Sequence, residues 1–164
     1  MTVIDELVRA NAAFAARRPE HQLPMSPARR VAIITCMDAR IVPSQAFGLA
    51  EGDAHVIRNA GGRAQDALRS LVISQRLLGT NEVAVIHHTD CGMVTFSNDS
   101  LRRKVREDLG ADADTIDFLP FTDVEQSVRD DVAYLRASPL IPPEVPIRGF
   151  VYDVRSGRLT EVDG

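Results

Sequence analysis

The sequence predicts an α/β protein with a mostly parallel central sheet flanked by helices, an N-terminal helical arm and a C-terminal antiparallel hairpin. Short apolar runs rich in β-branched residues alternate with longer segments whose apolar residues recur at helical spacing. This alternation is typical of a parallel sheet with helices on its faces. Each cysteine, Cys36 and Cys91, stands at the tip of an apolar run. In such sheets functional groups gather beyond the carboxyl ends of the strands.

Length, composition and charge exclude several classes of protein. The chain has 164 residues, 45% hydrophobic and 26% charged, and we expect one domain over residues 1–164, with residues 1–30 as arm and connector. A formal charge of −4 without a basic run argues against nucleic acid or an anionic membrane as a partner. No apolar segment approaches the roughly 20 residues that span a bilayer, and no secretory signal is evident. Two cysteines indicate a metal or catalytic role in a reducing, cytoplasmic compartment.

The chain opens with an amphipathic helix. Thr2 and Asp5 have the spacing of a capping box, and an apolar stripe at helical spacing then ends near Pro19. Residues 19–30 contain three prolines and predict an extended connector. The apolar stripe of a short terminal helix must be buried, either against its own domain or against a second subunit. Because the connector is long enough to reach a neighbour, we expect a homodimer in which the arm packs on the partner.

Three strands and two helices follow the connector. Strands are predicted at residues 31–35, 54–58 and 83–87, with a short helix near residues 44–49. Gly61 and Gly62 allow unusual backbone geometry or a close approach. Asp66 is the expected N-cap of a longer helix, and Gly79 is expected to end it.

Two more helices and a hairpin complete the predicted fold. One helix starts at residues 97–100 and ends at Gly110. A second capping box, from Thr122 to Glu125, opens a helix that stops before Pro139. The last long strand covers residues 147–154, and a Ser-Gly turn leads to a short strand at residues 158–162.

The residues at the two strand tips suggest a zinc site. Zinc accepts thiolate sulfur and imidazole nitrogen, and a catalytic zinc normally keeps one position free beside three protein ligands. Cys36, His88 and Cys91 make such a set, because the His-x-x-Cys spacing brings two ligands together and Cys36 arrives from a neighbouring strand. Two other interpretations stay open: both cysteines could be small buried hydrophobes, or a thiol nucleophile could be served by His88.

Two motifs resemble the signature of the β-class carbonic anhydrases. That signature pairs Cys-x-Asp-x-Arg, found here at residues 36–40, with a distant His-x-x-Cys, found at residues 88–91. Residues 56–61, with an Arg-Asn pair, and residues 149–159 also resemble that family, so the similarity covers nearly the whole chain. Ala39 departs from a common serine, and Ala50 takes the place at which the plant-type branch has a substrate-positioning glutamine.

The resemblance implies a zinc enzyme that hydrates carbon dioxide reversibly to bicarbonate and a proton. Cys36, His88 and Cys91 would bind Zn²⁺, Asp38 and Arg40 would form the adjacent catalytic pair, and the family forms dimers. A related alternative is a zinc hydrolase of carbon disulfide or carbonyl sulfide. A third is a non-catalytic, zinc-stabilised regulatory domain, against which Arg40 beside Asp38 argues, because structural sites use sulfur and nitrogen alone.

Three neighbouring residues have structural interpretations. Strand alternation directs His87 away from His88, so it is expected to be a core histidine with satisfied hydrogen bonds. Arg58 and Asn59 are expected to brace the loop through hydrogen bonds.

Overall fold

The protein folds around a five-stranded sheet in the order β2-β1-β3-β4-β5. The computed structural model describes residues 2–20 and 22–163; residue 21, inside the expected connector, and the two terminal residues lie outside the described part. The strands are β1 (Val31–Cys36), β2 (Ala54–Asn59), β3 (Glu82–His88), β4 (Ile147–Tyr152) and β5 (Leu159–Val162). The first four are parallel and β5 is antiparallel to β4. The predicted α/β fold with its C-terminal hairpin is therefore confirmed.

The helices are α1 (Val3–Ala15), α2 (Pro43–Ala46), α3 (Ala64–Leu78), α4 (Asn98–Leu109) and α5 (Val124–Ala137). Single 3₁₀ turns occur at Ala60–Gly62 and Gly92–Val94, next to the ends of β2 and β3. None of the helices in the described residues is long and apolar enough to cross a membrane.

The main core lies between the sheet and the pair α3 and α5. Alternate residues of the central strands are fully enclosed, and they pack with apolar residues of both helices: Ala32, Ile34, Val83, Val85, Leu71, Val128, Val132 and Leu135. Each fully buried aliphatic side chain contributes roughly 1.5–3 kcal/mol. Gly149 lets α5 approach β4 closely, because a Cβ there would lie 2.4 Å from Val128 Cγ1. The core thus fixes the strands whose carboxyl ends carry the cysteines and His88.

Helix α3 begins earlier than predicted. Asp66 is not its N-cap but lies in its first turn, and Arg63 occupies the cap position. The first amide groups are satisfied from elsewhere in the molecule: Asn59 Oδ1 accepts from Arg63 N at 2.7 Å, and Asp131 Oδ2 accepts from Ala64 N at 2.8 Å. A distant acceptor on α5 therefore replaces the local cap that the sequence suggests.

Two other predicted helix starts were tested by the structure. The capping box of Thr2 and Asp5 is confirmed, with both reciprocal hydrogen bonds present. At α5 the predicted box is wrong: the cap is Asp123, whose carboxylate accepts from Gln126 N at 2.8 Å. A carboxylate one residue further along satisfies the same orphan amide, so the hydroxyl of Thr122 is not needed.

The arm helix α1 buries no side chain. Its apolar residues are 52–71% exposed: Val3, Ile4, Leu7, Val8 and Phe14. The apolar stripe that the sequence predicts is present and stays more than half exposed in the described part of this chain, with the Arg18 guanidinium 5.5 Å from the centre of the Phe14 ring.

Candidate metal centre

Three potential metal ligands meet at the carboxyl edge of the sheet. Cys36 is the last residue of β1 and His88 the last of β3, and the two strands pair in parallel, so their ends lie side by side. The turn after β3 returns Cys91 to the same place. The two Sγ atoms and a ring nitrogen of His88 all lie within 4.8 Å of one another, and all three residues are buried. The structure therefore brings together the three residues that the sequence selects.

The hydrogen bonding of His88 leaves one ring nitrogen ready for a metal. Its Nδ1 lies 2.8 Å from the Thr89 carbonyl oxygen, which can only accept, so Nδ1 carries the proton. In the neutral ring Nε2 is then unprotonated, and it is buried without any hydrogen-bond partner. A buried nitrogen with an unused lone pair is costly unless something binds it. Metal-binding histidines commonly have their other nitrogen fixed in this way.

The two thiols form a tightly interacting pair. The Cys91 side chain hydrogen-bonds to Cys36 and, against the effect of burial, lowers the pKa of the Cys36 thiol to about 4. The same contact, together with burial, raises the pKa of the Cys91 thiol. Gly61 N–H adds a hydrogen bond to Cys36 Sγ at 3.3 Å. Two sulfurs and one unprotonated imidazole nitrogen are the donor set that zinc prefers, so these residues fit a zinc ion.

A network of two carboxylates and one guanidinium borders the ligands. Arg40 binds Asp38 through two parallel hydrogen bonds, Nε to Oδ1 at 3.0 Å and Nη2 to Oδ2 at 2.8 Å. Its Nη1 also donates to Asp90 Oδ2 at 2.7 Å. The side-chain hydrogen bonds from Arg40 hold the pKa of Asp38 far below its usual range. Asp38 Oδ2 lies 3.7 Å from His88 Nε2, but Asp38 is outside the group of mutually close ligand atoms.

The loop after β1 is braced from β2. Arg58 donates to the carbonyl oxygens of Cys36 at 2.9 Å and Asp38 at 2.7 Å. Asn59 binds the backbone of Arg63 through both atoms of its amide. The bracing expected of Arg58 and Asn59 is therefore confirmed, and it fixes the backbone that presents Cys36.

His87 lies in the core, as expected. It is fully buried, with Nδ1 at 2.7 Å from Ser127 Oγ and Nε2 at 3.1 Å from the Gly62 carbonyl oxygen and 3.2 Å from Asp131 Oδ2. Its ring stacks on Phe121 with 5.6 Å between centroids. All its polar atoms have partners, so it supports the layer beneath the site instead of joining the ligands.

A largely apolar cavity of about 440 Å³ opens beside the cysteines. Asp38 is its one charged lining residue, and the lining contains no hydroxyl or amide side chain; the residues are Cys36, Met37, Asp38, Ala60, Gly61, Cys91, Gly92, Met93, Phe96, Leu101 and Phe118. Ala50, at the position of the plant-type glutamine, is not among them. The cavity suits a small ligand that needs few hydrogen bonds.

Some contacts of the site could not be read from the sequence. The Thr89 carbonyl and the Gly61 amide act through the backbone, which leaves no sequence pattern. Asp90 did leave a signal, since it stands between His88 and Cys91, but its partner Arg40 lies far away in the chain. Fold and site together define an α/β protein with a two-cysteine, one-histidine metal centre that opens onto an apolar cavity.

Comparison with known proteins identifies the family. A family model described as carbonic anhydrase matches residues 31–159, a range that contains every residue of the metal centre. This chain belongs to the carbonic anhydrase family, and its relatives place it in the β class. β-Carbonic anhydrases are zinc lyases, and Cys36, His88 and Cys91 form the group placed to bind that ion.

Three relatives show how far the similarity reaches. The chain is 42% identical over 163 residues to β-carbonic anhydrase 1 of Mycobacterium tuberculosis, covering 99% of each protein. A crystal structure of carbonic anhydrase from Streptococcus mutans matches with a TM-score of 0.95 and 51% identity over 99% of both chains. A carbon disulfide hydrolase of Acidithiobacillus thiooxidans is 34% identical over 167 residues, covering 89% of this chain and 82% of the hydrolase.

Proposed function

We propose that this chain catalyses the reversible hydration of carbon dioxide to bicarbonate and a proton at a zinc ion held by Cys36, His88 and Cys91. The observation that carries this proposal is the unpaired, buried Nε2 of His88, which faces two thiols at the edge of an apolar cavity. Three protein ligands are typical of catalytic zinc, whereas structural zinc has four.

Each part of the site has a chemical task in this reaction. When bound, the ion supplies Lewis acidity, which lowers the pKa of water into the physiological range. The apolar cavity admits a small uncharged molecule such as carbon dioxide, which needs few hydrogen bonds from its lining. Asp38 Oδ2 accepts a hydrogen bond from the attacking water and so orients the oxygen lone pair toward the carbon. The proton that the reaction releases then leaves to solvent.

The contact with Arg40 determines whether Asp38 orients a water molecule or occupies the position of that water. A carboxylate 3.7 Å from a zinc ligand can orient a water, or it can take the position that the water needs. The bidentate pairing with Arg40 occupies both carboxylate oxygens and neutralises their charge, which supports the first task. We therefore assign Asp38 and Arg40 to the catalytic machinery.

A second candidate substrate class is carbon disulfide or carbonyl sulfide. It is favoured by the apolar lining of the cavity and by the name of the relative from Acidithiobacillus thiooxidans. Larger, more polarizable linear molecules would use the same zinc and the same Asp38. A non-catalytic regulatory role has less support, because Asp38, which is paired with Arg40, lines the cavity beside the ligands.

We further propose that the protein is a cytoplasmic homodimer with one domain over residues 1–164. The exposed apolar stripe of α1 supports the dimer, because a second copy of the chain would bury it at no cost to the fold of the first. The connector of residues 19–30 gives the arm its reach. A reducing compartment suits two cysteines that must stay unoxidised to bind zinc.

Stopped-flow carbon dioxide hydration by the purified protein, with zinc measured on the same sample, tests the main proposal. We expect about one zinc per chain and activity that disappears on chelation and returns with zinc. Hydrogen sulfide release from carbonyl sulfide and carbon disulfide is measured in parallel. Zinc-loaded protein that hydrates no carbon dioxide but releases hydrogen sulfide would favour the second candidate, and zinc-loaded protein inactive in every assay would refute both.

A further inference from the structure

Asp90 joins the Asp38–Arg40 pair from the opposite loop. Arg40 lies in the loop after β1, and Asp90 lies in the turn after β3, between His88 and Cys91. Two hydrogen bonds connect them: Nη1 to Asp90 Oδ2 at 2.7 Å and Nη2 to the Asp90 carbonyl oxygen at 2.8 Å. Arg40 therefore links the loops that carry the two cysteines.

The two edges of the guanidinium have different partners. One edge binds both oxygens of Asp38, and the other binds Asp90. Asp38 and Arg40 are two residues apart in a single loop, so they can move together without breaking their own contact. The bonds to Asp90 are the guanidinium's contacts outside that loop among the hydrogen bonds of the described residues. Arg58 holds the backbone carbonyl of Asp38 from β2, whereas the bonds to Asp90 fix where the two paired side chains lie relative to the metal ligands.

We propose that Asp90 is a positioning residue, which anchors Arg40 to the turn after β3 and so keeps Asp38 beside the metal centre without binding the metal. This inference rests on the proposed function, in which Asp38 must leave room for water. Asp38 lies close to a metal-binding position. The 3.7 Å between Asp38 Oδ2 and His88 Nε2 is close to the separation expected between an oxygen ligand and a nitrogen ligand of the same tetrahedral zinc ion.

A purely structural role makes a different prediction. The side chain of Asp90 is 66% exposed, and exposed ion pairs contribute little to stability. If Asp90 only braces two loops, its removal changes stability slightly and leaves the metal ligands unaltered. If it positions Arg40, its removal changes the set of ligands while the fold persists.

The backbone of Asp90 dictates the choice of variants. Its φ of 55° is left-handed, a conformation that glycine adopts without cost and asparagine tolerates. Asp90→Gly therefore removes the carboxylate without straining the turn, and Asp90→Asn keeps an acceptor oxygen for Arg40. Asp114→Gly is a matched control, because it deletes an exposed carboxylate that pairs with Arg106 at 3.0 Å, outside the metal centre.

The experiment measures metal coordination as well as activity. Each protein is prepared with zinc for carbon dioxide hydration and with cobalt(II) for absorption spectra, with and without added azide. For Asp90→Gly we expect full metal content, kcat/KM reduced about tenfold or more, a changed cobalt spectrum and a lost response to azide, because a carboxylate fills the azide position. Asp90→Asn and Asp114→Gly should resemble the wild type in all four respects.

Three outcomes would overturn the proposal. The first is a cobalt spectrum and azide response of Asp90→Gly equal to those of the wild type, whatever the activity. The second is loss of metal from Asp90→Gly, which would assign Asp90 to holding the ligand turn. The third is equal changes in Asp90→Gly and Asp114→Gly. A wild type inactive toward carbon dioxide would instead refute the proposed function, while the cobalt spectra would still decide the role of Asp90.

Discussion

Replacing Gly62 with alanine tests how tightly the backbone is packed behind the metal centre. Gly62 has a φ of +69°, and a Cβ there would lie 2.9 Å from the carbonyl carbon of Thr35 and 3.0 Å from the amide nitrogen of Cys36. These are backbone atoms of β1, which cannot rotate away as the tip of a side chain can. The end of β1 or the Gly61-Gly62 turn must therefore move.

The expected loss of stability has two parts. A left-handed conformation costs a non-glycine residue roughly 1–2 kcal/mol, and an overpacked contact costs about 1–3 kcal/mol. Gly110→Ala separates them, because Gly110 has a similar φ of +63° but nothing within 4 Å of its Cβ position. We expect the control to lose only the first part, and Gly62→Ala to lose about 1–3 kcal/mol more than the control.

Urea unfolding of the zinc-loaded proteins measures both losses. All samples are compared at one protein concentration and one free zinc concentration, because association and metal binding both stabilise the folded state. Zinc affinity is measured in addition by competition with a chelator. We expect weaker binding by Gly62→Ala, since the displaced backbone carries Cys36 and the neighbouring Gly61 N–H donates to its sulfur. If Gly62→Ala were no less stable than Gly110→Ala, the close contact would have no energetic consequence and the reasoning would be wrong.

The site and the arm support four further predictions. Cys91→Ser replaces a thiolate with a poorly acidic hydroxyl and should strip the zinc, measured by metal analysis; full occupancy with activity would refute the ligand assignment. Arg40→Ala should keep fold and zinc but lose carbon dioxide hydration, because Asp38 becomes free to bind the metal. Wild-type activity should rise with pH as water ionises, so a zinc-loaded Arg40→Ala that follows the wild type at every pH would contradict this role. Deleting residues 1–17 should weaken the proposed dimer in analytical ultracentrifugation, and an equally tight dimer would show that the arm is not needed for association.

The sequence was most informative about potential metal ligands that stand at the ends of predicted strands. Cys36, His88 and Cys91 could be grouped from the sequence alone, because parallel strands bring their carboxyl ends to one edge and because the spacing of the motifs resembles a known family. Strand alternation alone predicted that the side chain of His87 points away from that of His88. In each case a local pattern sufficed.

The wrong predictions and the missed contacts involve residues that lie far apart in the chain. Asp66 has the composition of a helix cap, but Asp131, which is distant in the chain, supplies the acceptor instead. Asp90 pairs with Arg40 fifty residues away. Such contacts are set by how the elements pack, and the sequence of either loop alone does not encode them.

The place of the ligands in the chain also bears on how the protein folds. Cys36 and His88 end strands that are neighbours in the sheet, while β2 and α3 lie between them in the chain. The ligands therefore meet only after this long intervening segment has been closed into a loop, a step with an entropic cost that local helix formation lacks. Zinc bound at this edge links the two halves of the sheet as a crosslink would, and its contribution to stability grows with the free zinc concentration in the cell. The metal required for catalysis therefore also stabilises the folded sheet once β1 and β3 have paired. Depletion of zinc should loosen the sheet at its centre, between these two strands.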